Sequence, residues 1–237
     1  MARLVNSYKA LCSSYDNGTY KNITGVIVQA TQVEVHPNFR QSNAPYYQNH
    51  KYNNYAYDYC LVKFNRIDLD AINAGLPQPT KVKIETVILA EQHPPFAVGM
   101  PAENSSNTVC WIAGWGKMSN GKQSPVLREA TVNLMSKTYC NALSKNITGY
   151  RARKVKRVYS RVTGDYSFCS GQTGAGADTC KGDSGGPLFC RTNEKWLLVG
   201  VTSHGPTTGD CGRAGRPGIY AKVSHILPWI KATTDCK

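Results

Sequence analysis

The sequence predicts an all-β fold, either a sandwich or a barrel, and three observations lead to that class. Short β-branched stretches recur along the chain with turn residues between them. Signals for helices are scarce. The length of 237 residues suits one domain with one substantial core, and no run of 18 or more apolar residues occurs. We therefore expect a single domain over residues 1–237 that has no membrane span.

The strand-like stretches are rich in valine, isoleucine and threonine and are bounded by glycine, proline or polar residues. In chain order they cover residues 25–35, 60–64, 82–90, 109–113, 130–134, 196–203 and 219–223. Ser136 predicts the start of a short helix through residue 143, and Ser224 with Pro228 predicts a final helix ending near residue 233. The polar stretches 41–57 and 148–165 are predicted to be surface loops.

The cysteines indicate disulfides and an oxidising compartment, since the chain has nine of them and none shows the paired CxxC spacing of a zinc site. Four N-x-S/T acceptors indicate a secreted glycoprotein in the same way: Asn17, Asn22, Asn104 and Asn146. We expect no metal and no cofactor. Residues 1–14 hold no apolar stretch that would serve as a signal peptide, which disagrees with secretion and suggests an absent N-terminal segment.

The net charge of +13 predicts a basic, solvated surface on a monomer. One short run concentrates this charge and is a candidate site for a sulfated glycan: Arg151, Arg153, Lys154, Lys156 and Arg157. No DNA- or RNA-binding motif accompanies the run, so we do not expect a nucleic-acid partner.

The strongest motif is D-T-C-K-G-D-S-G-G-P-L over residues 178–188. A nucleophilic serine needs a backbone that approaches the substrate closely and directs two N–H groups at the developing oxyanion. Glycines permit that approach because they have no Cβ and accept unusual φ and ψ. Gly182, Gly185 and Gly186 bracket Ser184 in this way.

This string resembles the active-site signature of the trypsin/chymotrypsin family of serine proteases, and the resemblance continues along most of the chain. The further segments that carry it are V-H-P-N-F at 35–39, D-Y-C-L-V-K-F at 58–64, C-W-I-A-G-W-G at 110–116, S-H-G at 203–205 and P-G-I-Y at 217–220. The resemblance implies two six-stranded antiparallel β-barrels packed together, the first of them incomplete here, and a short C-terminal helix.

The resemblance also implies peptide-bond hydrolysis through an acyl-enzyme on Ser184. Asp58 would orient a histidine that moves the proton, and the N–H groups of Gly182 and Ser184 would bind the oxyanion. The implied partners are protein or peptide substrates and protease inhibitors.

The resemblance places Asp178 at the floor of the substrate pocket and Ser203, Gly205 and Gly218 along its walls. A buried carboxylate without a partner is unfavourable, so such a pocket selects substrates that supply a cation. Glycines at the walls leave room for a long side chain. We therefore expect cleavage after arginine or lysine.

The implied disulfides are Cys110–Cys190, Cys140–Cys169 and Cys180–Cys211. Cys12, Cys60 and Cys236 remain, and the sequence alone does not pair them. Cys60 and Cys236 are one candidate pair.

The chain departs from the family's pattern at the catalytic histidine, since no T-A-A-H-C string occurs. One register puts Leu11 in the histidine's place. The register that we prefer puts Arg3 and Leu4 at the start of a later strand and the histidine upstream of Met1. His204 replaces a tryptophan of the family and is expected to lie on the wrong strand to take the Ser184 proton.

The activation sequence I-V-G-G is also absent, although Asp183, which would pair with the new N-terminal ammonium of the zymogen, is present. The preferred hypothesis is a secreted protease domain that lacks its N-terminal activation segment and first strands. The alternative is an inactive homologue that binds without cutting.

Overall fold

A computed structural model of the chain describes residues 3–5, 9–11, 27–39, 57–75, 86–89, 109–135, 139–140, 142, 166–171, 176–192, 195–205 and 211–234. It contains two compact units. The first unit consists of Met1–Val35 and Cys60–Val87, and the second consists of His36–Tyr59 and Ile88–Lys237.

The first unit contains a four-stranded antiparallel sheet in which each strand pairs with the next one along the chain. Its strands are β1 (Arg3–Val5), β2 (Lys9–Leu11), β3 (Ile27–Val35) and β4 (Cys60–Phe64). β1 begins at Arg3, where the preferred register places the start of a strand. Leu11, the residue of the other register, ends β2.

A short helix that the sequence analysis did not predict follows this sheet. Helix α1 (Leu69–Ala74) begins after Asp68, whose carboxylate accepts a hydrogen bond of 3.0 Å from the N–H of Ala71, and it ends at Gly75. An aspartate before the first turn and a glycine after the last are the ordinary signals for helix ends. The signal was therefore present in the sequence, but the segment is only six residues long.

The second unit contains seven strands in the described residues: β5 (Ile88–Leu89), β6 (Val109–Gly114), β7 (Arg128–Met135), β8 (Ser167–Gly171), β9 (Pro187–Thr192), β10 (Lys195–His204) and β11 (Gly218–Lys222). Six of them form a closed antiparallel barrel in the order β11–β8–β7–β6–β9–β10, in which β10 also pairs with β11. The remaining strand, β5, pairs with β10 in parallel through two residue pairs. The predicted all-β class is confirmed.

Alternation along the strands fills the barrel with apolar side chains. On β6, Cys110 and Ile112 are buried while Trp111 between them is only partly buried. Across the ladder Cys110 pairs with Val132 of β7 and with Cys190 of β9. The buried cluster consists of Cys110, Ile112, Val132, Leu134, Phe168, Leu188, Cys190, Val199 and Tyr220.

Three disulfides link the second unit, and they are the three that the resemblance implied. Cys110–Cys190 joins β6 to β9, and Cys140–Cys169 anchors the segment after β7 to β8. Cys180–Cys211 joins the segment before Ser184 to the segment before β11. Cys60 lies on β4, whereas Cys12 and Cys236 lie outside the described residues.

The chain ends in a 3₁₀ turn over Val223–Ile226 followed by helix α2 (Leu227–Thr233). Ser224 lies inside the turn and does not cap the helix, although the predicted end at residue 233 is correct. Pro228 lies in the first turn of α2, where its missing N–H costs no helical hydrogen bond. None of the helices in the described part of the chain has the length and apolarity needed to cross a membrane.

The predicted stretch 60–64 coincides with β4, and five of the other six contain or overlap an observed strand at nearly the predicted place. The remaining stretch, 82–90, is reduced in the described residues to Ile88–Leu89. Strands β2, β8 and β9 were not predicted, and β1 was expected only from the preferred register. Several predictions fall outside the described residues: the four glycosylation acceptors, the basic run 151–157, residues 136–138 of the predicted helix, and most of the polar stretches 41–57 and 148–165.

Gly200 of β10 leaves room for two aromatic rings inside the barrel. A Cβ there would lie 2.6 Å from Cζ of Phe168 and 3.2 Å from Cβ of Tyr220. Overpacking a filled core costs about 1–3 kcal/mol. Gly200→Ala is therefore expected to lower the free energy of unfolding by about that amount in urea titrations. Gly75→Ala, where a Cβ meets nothing closer than 3.6 Å, is the control and should change it by less than about 0.5 kcal/mol.

Candidate active site

Ser184 lies on a tight turn at the surface of the second unit, and the residue is exposed. The turn is closed by backbone hydrogen bonds from Asp183 N–H to the Cys180 carbonyl (2.9 Å) and from Gly186 N–H to the Asp183 carbonyl (2.8 Å). Gly182 and Gly185 on either side of the serine have φ of +104° and +78°. Such angles disfavour any residue with a Cβ, which explains the glycines of the motif.

Two backbone hydrogen bonds attach this turn to β10. The N–H of Gly185 donates to the Thr202 carbonyl, and the N–H of Thr202 donates to the Gly186 carbonyl, each at 2.8 Å. Because the next residue of β10 is Ser203, the turn that presents Ser184 is fixed one residue away from the contact made by Asp58.

Asp58 is held against β10 by a short hydrogen bond. Its Oδ2 accepts from the Ser203 hydroxyl at 2.6 Å, and both residues belong to the second unit. The next residue, Tyr59, is buried, and its hydroxyl lies 2.7 Å from the Tyr166 carbonyl and 2.9 Å from the Lys222 carbonyl. The position of Asp58 therefore depends on an aromatic anchor that reaches the base of β8 and the end of β11.

Tyr57, before Asp58, has φ of +58°, a left-handed conformation that is unfavourable for a bulky side chain. Its ring stacks on His36 at 4.8 Å between centroids and lies 5.5 Å from both Tyr166 and His225. His36 is buried against Trp229 as well, at 4.7 Å. Burial, together with the nearby charge of His225, lowers the pKa of His36. His36, in the V-H-P-N-F segment, is therefore a packing residue.

The Asp178 carboxyl lies among backbone donors and two hydroxyl-bearing side chains. Its Oδ1 accepts from the N–H of Thr179 at 2.8 Å, and its Oδ2 accepts from the N–H of Gly212 at 3.4 Å. The hydroxyls of Thr179 and Tyr220 are 2.9 Å apart. A Cβ on Gly218 would lie 2.9 Å from both Asp178 Oδ1 and Thr179 Oγ1, so glycine keeps this space open.

The two glycines that the resemblance assigned to pocket walls are neighbours at the end of the β10–β11 ladder. A Cβ on Gly205 would come 3.8 Å from the Cα of Gly218, an ordinary van der Waals contact. A Cβ on Gly218 would meet the hydroxyls of Thr179 and Tyr220 at 2.9 and 3.2 Å, and neither of these residues was singled out from the sequence. Their positions in the sequence could have identified them as pocket residues, since Thr179 follows Asp178 directly and Tyr220 ends the P-G-I-Y segment.

Burial raises the pKa of the Asp178 carboxyl to about 7, and the charge of Asp183 adds to this increase. Backbone hydrogen bonds from Gly212, Thr179 and Gly218 lower the pKa but do not offset the effect of burial. A carboxyl with this pKa is incompletely ionised at neutral pH unless a cation approaches it. A carboxyl with a perturbed pKa is a frequent mark of a functional site.

Asp183 has a different environment although it is only five residues away in sequence. Its two carboxylate oxygens accept from the N–H of Gly116 at 2.7 Å and from the N–H of Cys180 at 2.9 Å. A Cβ on Gly114 or Gly116 would overlap the Asp183 carboxylate, so both glycines of the G-W-G stretch are needed for this approach.

A cavity of about 650 Å³ lies on this side of the turn. Asp178 and Asp183 both line it, together with Lys117, Arg128 and Arg213. Ser184 is not among its described lining residues. Gly205 and Gly218 are not among these lining residues either, so the described cavity lies on the Asp183 side of the turn.

The histidines of the described residues have other contacts than a triad histidine requires. His36 and His225 pack among tyrosines, and Nδ1 of His204 lies 2.9 Å from the Ser203 hydroxyl. His50 and His93 lie outside the described residues. Within the described part of the chain, no three His, Cys, Asp or Glu side chains come together as a metal site would require.

Comparison with known proteins gives one family and a set of relatives. The family model described as Trypsin matches residues 10–230. The chain is 39% identical over 144 residues to coagulation factor XI of Bos taurus, which covers 59% of this chain and 20% of that protein. It is 40% identical over 129 residues to transmembrane protease serine 7 of Mus musculus, covering 53% of this chain and 13% of that protein. The chain thus spans a fifth or less of the length of these relatives.

The raised pKa of Asp178 predicts a pH-dependent stability. The folded state holds the proton more tightly than the unfolded state, whose carboxyl titrates near 3.8. The stabilisation is complete below the unfolded value and is lost as the pH rises from about 4 to 7. The free energy of unfolding of the wild type, relative to Asp178→Asn, is therefore expected to fall by up to about 4 kcal/mol across that range.

The measurement is urea denaturation of both proteins at several pH values. Asp70→Asn, which removes an exposed carboxyl from the first turn of α1, is the control for the general effect of charge. A constant difference between wild type and Asp178→Asn from pH 4 to pH 7 would contradict the assignment of a buried, proton-binding carboxyl.

Proposed function

We infer the function of this chain from its family: the chain belongs to the trypsin family of serine proteases, and we propose that it is an endopeptidase that cuts after arginine or lysine. The observation that carries the proposal is the desolvated Asp178 carboxyl next to Gly218, where a Cβ would lie only 2.9 Å from Oδ1. We propose that the substrate side chain enters a slot lined by Asp178, Gly205 and Gly218. The specificity rests on that carboxyl, and the chemistry rests on Ser184.

A basic side chain is the ligand that this slot suits best. The carboxyl of Asp178 is desolvated, and in the described part of the chain its hydrogen bonds come from backbone N–H groups, one of them long at 3.4 Å. A guanidinium or ammonium group would supply charge-assisted hydrogen bonds to it and favour the ionised form. The hydroxyls of Thr179 and Tyr220 offer further acceptors for the N–H groups of such a side chain.

We propose that Ser184 is the nucleophile. Its Oγ attacks the carbonyl carbon of the scissile bond, and its proton passes to a histidine base and then to the leaving amine. The N–H groups of Gly182 and Ser184 stabilise the oxyanion. Water then hydrolyses the acyl-enzyme. Asp58, fixed on the Ser203 hydroxyl, orients the base. The contacts of His36, His204 and His225 assign none of them to that role.

Asp183 is proposed to take part in activation. In the proposed active form its carboxylate pairs with an N-terminal ammonium group in the cavity of about 650 Å³. Two backbone N–H groups already orient the carboxylate, so the charge is positioned before the cation arrives. The three disulfides of the second unit support action in an oxidising compartment, and we propose that the protein acts outside the cell.

A second function, binding of a basic side chain without cleavage, uses the same slot. The observation that favours it is the set of contacts made by the three described histidines, which leave the base of the reaction unassigned. Loss of the histidine from such a triad lowers turnover by roughly 10⁶-fold. Both functions therefore predict binding of a basic side chain, and only the first predicts measurable hydrolysis.

The first test measures binding of 4-aminobenzamidine, a fluorescent cation the size of an arginine head group. Because the ionised carboxyl is the binding form, affinity should fall about tenfold for each pH unit below about 7 and level off above it. Asp178→Asn should weaken binding by at least about 30-fold at pH 8, since it removes the charge partner of a buried cation. Asp70→Asn should leave binding unchanged. Equal binding by wild type and Asp178→Asn would refute a basic specificity.

The second test measures hydrolysis of arginyl, lysyl and leucyl peptide amides by the natural protein. The arginyl and lysyl substrates should be cleaved in preference, and Ser184→Ala should reduce kcat by roughly 10⁶-fold, as expected for a triad nucleophile. Binding of 4-aminobenzamidine together with no cleavage of any of the amides would favour the second function.

A further inference from the structure

His204 is bonded to the same hydroxyl that holds Asp58. The Ser203 Oγ lies 2.6 Å from Asp58 Oδ2 and 2.9 Å from His204 Nδ1. All three residues belong to the second unit, and each is partly buried. The chain has S-H-G at this point, where the family resemblance predicts S-W-G, so the imidazole is a feature of this sequence.

The direction of these hydrogen bonds follows from the number of protons. An ionised carboxylate only accepts, so the single hydroxyl proton of Ser203 is given to Asp58. The Ser203 oxygen can then only accept from His204. The Nδ1 of the imidazole must therefore carry a proton, which fixes the neutral ring as the Nδ1–H tautomer.

We propose that His204 is a positioning residue that acts on Asp58 through Ser203. Its Nδ1–H occupies an acceptor site of the Ser203 oxygen and so turns the hydroxyl proton toward Asp58. A serine hydroxyl otherwise rotates among several orientations, and only one of them donates to this carboxylate. We call the hydrogen-bonded series His204–Ser203–Asp58 the relay. Its importance for catalysis rests on the proposed function, in which Asp58 orients the base.

The relay also explains how one strand end serves two roles. Thr202 of β10 bonds to the turn that carries Ser184, and Ser203 bonds to Asp58. His204 is the last residue of β10, and it pairs with Ile219 of β11 across an irregularity between Thr202 and His204. The irregular register shifts the side-chain alternation at Ser203 and His204, so that adjacent residues can share a hydrogen bond.

The tautomer is tested by ¹⁵N NMR of the full chain labelled at histidine, at pH 8, where an unperturbed imidazole is neutral. The resonances of His204 are assigned from the spectrum of His204→Asn. In the wild type, His204 is expected to be Nδ1–H. In Ser203→Ala, which removes the acceptor, it should shift toward Nε2–H. Ser124→Ala removes another buried hydroxyl, which donates to the Val126 carbonyl, and should leave the signature unchanged.

Either of two results would overturn the relay: a wild-type His204 in the Nε2–H form, or the same tautomer in wild type and Ser203→Ala. Both results are independent of hydrolysis. Failure of the relay is therefore distinguishable from failure of the proposed protease function, which the amide substrates test separately.

The functional consequence is tested by the rate of Ser184 labelling with a fluorophosphonate in the natural protein. His204→Phe removes the donor and should slow labelling by about 3- to 10-fold, the effect of one hydrogen bond. His204→Asn keeps a short side-chain N–H donor and should recover part of that loss. Equal slowing by both variants, or none by either, would show that the N–H of residue 204 does not act on Asp58.

Discussion

The candidate site depends on the pairing of β10 with its two neighbours. The ladders to β9 and β11 close the barrel and fix the end of β10 in position. Three successive residues of that end then carry the site, because Thr202 holds the serine turn, Ser203 holds Asp58 and His204 holds Ser203. A site built on a strand in a closed barrel keeps its geometry better than one built on a free loop.

Two carboxylates on the same turn show how the local environment separates their properties. Asp183 accepts one short backbone hydrogen bond on each oxygen, at 2.7 and 2.9 Å, and lies over two glycines. Asp178 also accepts backbone hydrogen bonds, one of them long at 3.4 Å, but desolvation outweighs them and its pKa rises to about 7. Short donors on both oxygens fix the orientation of a carboxylate, whereas a desolvated carboxyl gains from a cationic ligand. The two residues are thus suited to a structural pairing and to a recognition role.

The sequence predicted the parts of this molecule that local patterns encode. Alternation and β-branched runs located strands such as β4 and β6, and the 178–188 string predicted glycines of unusual φ and ψ around Ser184, which Gly182 and Gly185 have. Strand β8 was missed because S-F-C-S-G is buried at every residue and shows no alternation. Strand β9 was missed because the apolar run Leu188–Cys190 hides the alternation of its burial, in which Leu188 and Cys190 are buried and Arg191 is exposed. The hydrogen bond from Ser203 to Asp58 joins residues 145 positions apart, and no local pattern encodes it.

Tyr57, directly before Asp58, adopts a backbone conformation that its side chain disfavours, and this position supports a functional interpretation of the region. Tyr57 has a left-handed backbone that costs about 1–3 kcal/mol unless its surroundings compensate. Here the surroundings are a stack with His36, neighbouring rings of Tyr166 and His225, and the buried Tyr59 with its two backbone acceptors. The same core would be simpler with a relaxed backbone at residue 57. The left-handed conformation of Tyr57 instead brings the next residue, Asp58, to β10, where its carboxylate accepts from Ser203. The aromatic contacts of Tyr57 therefore compensate the energetic cost of placing Asp58 there.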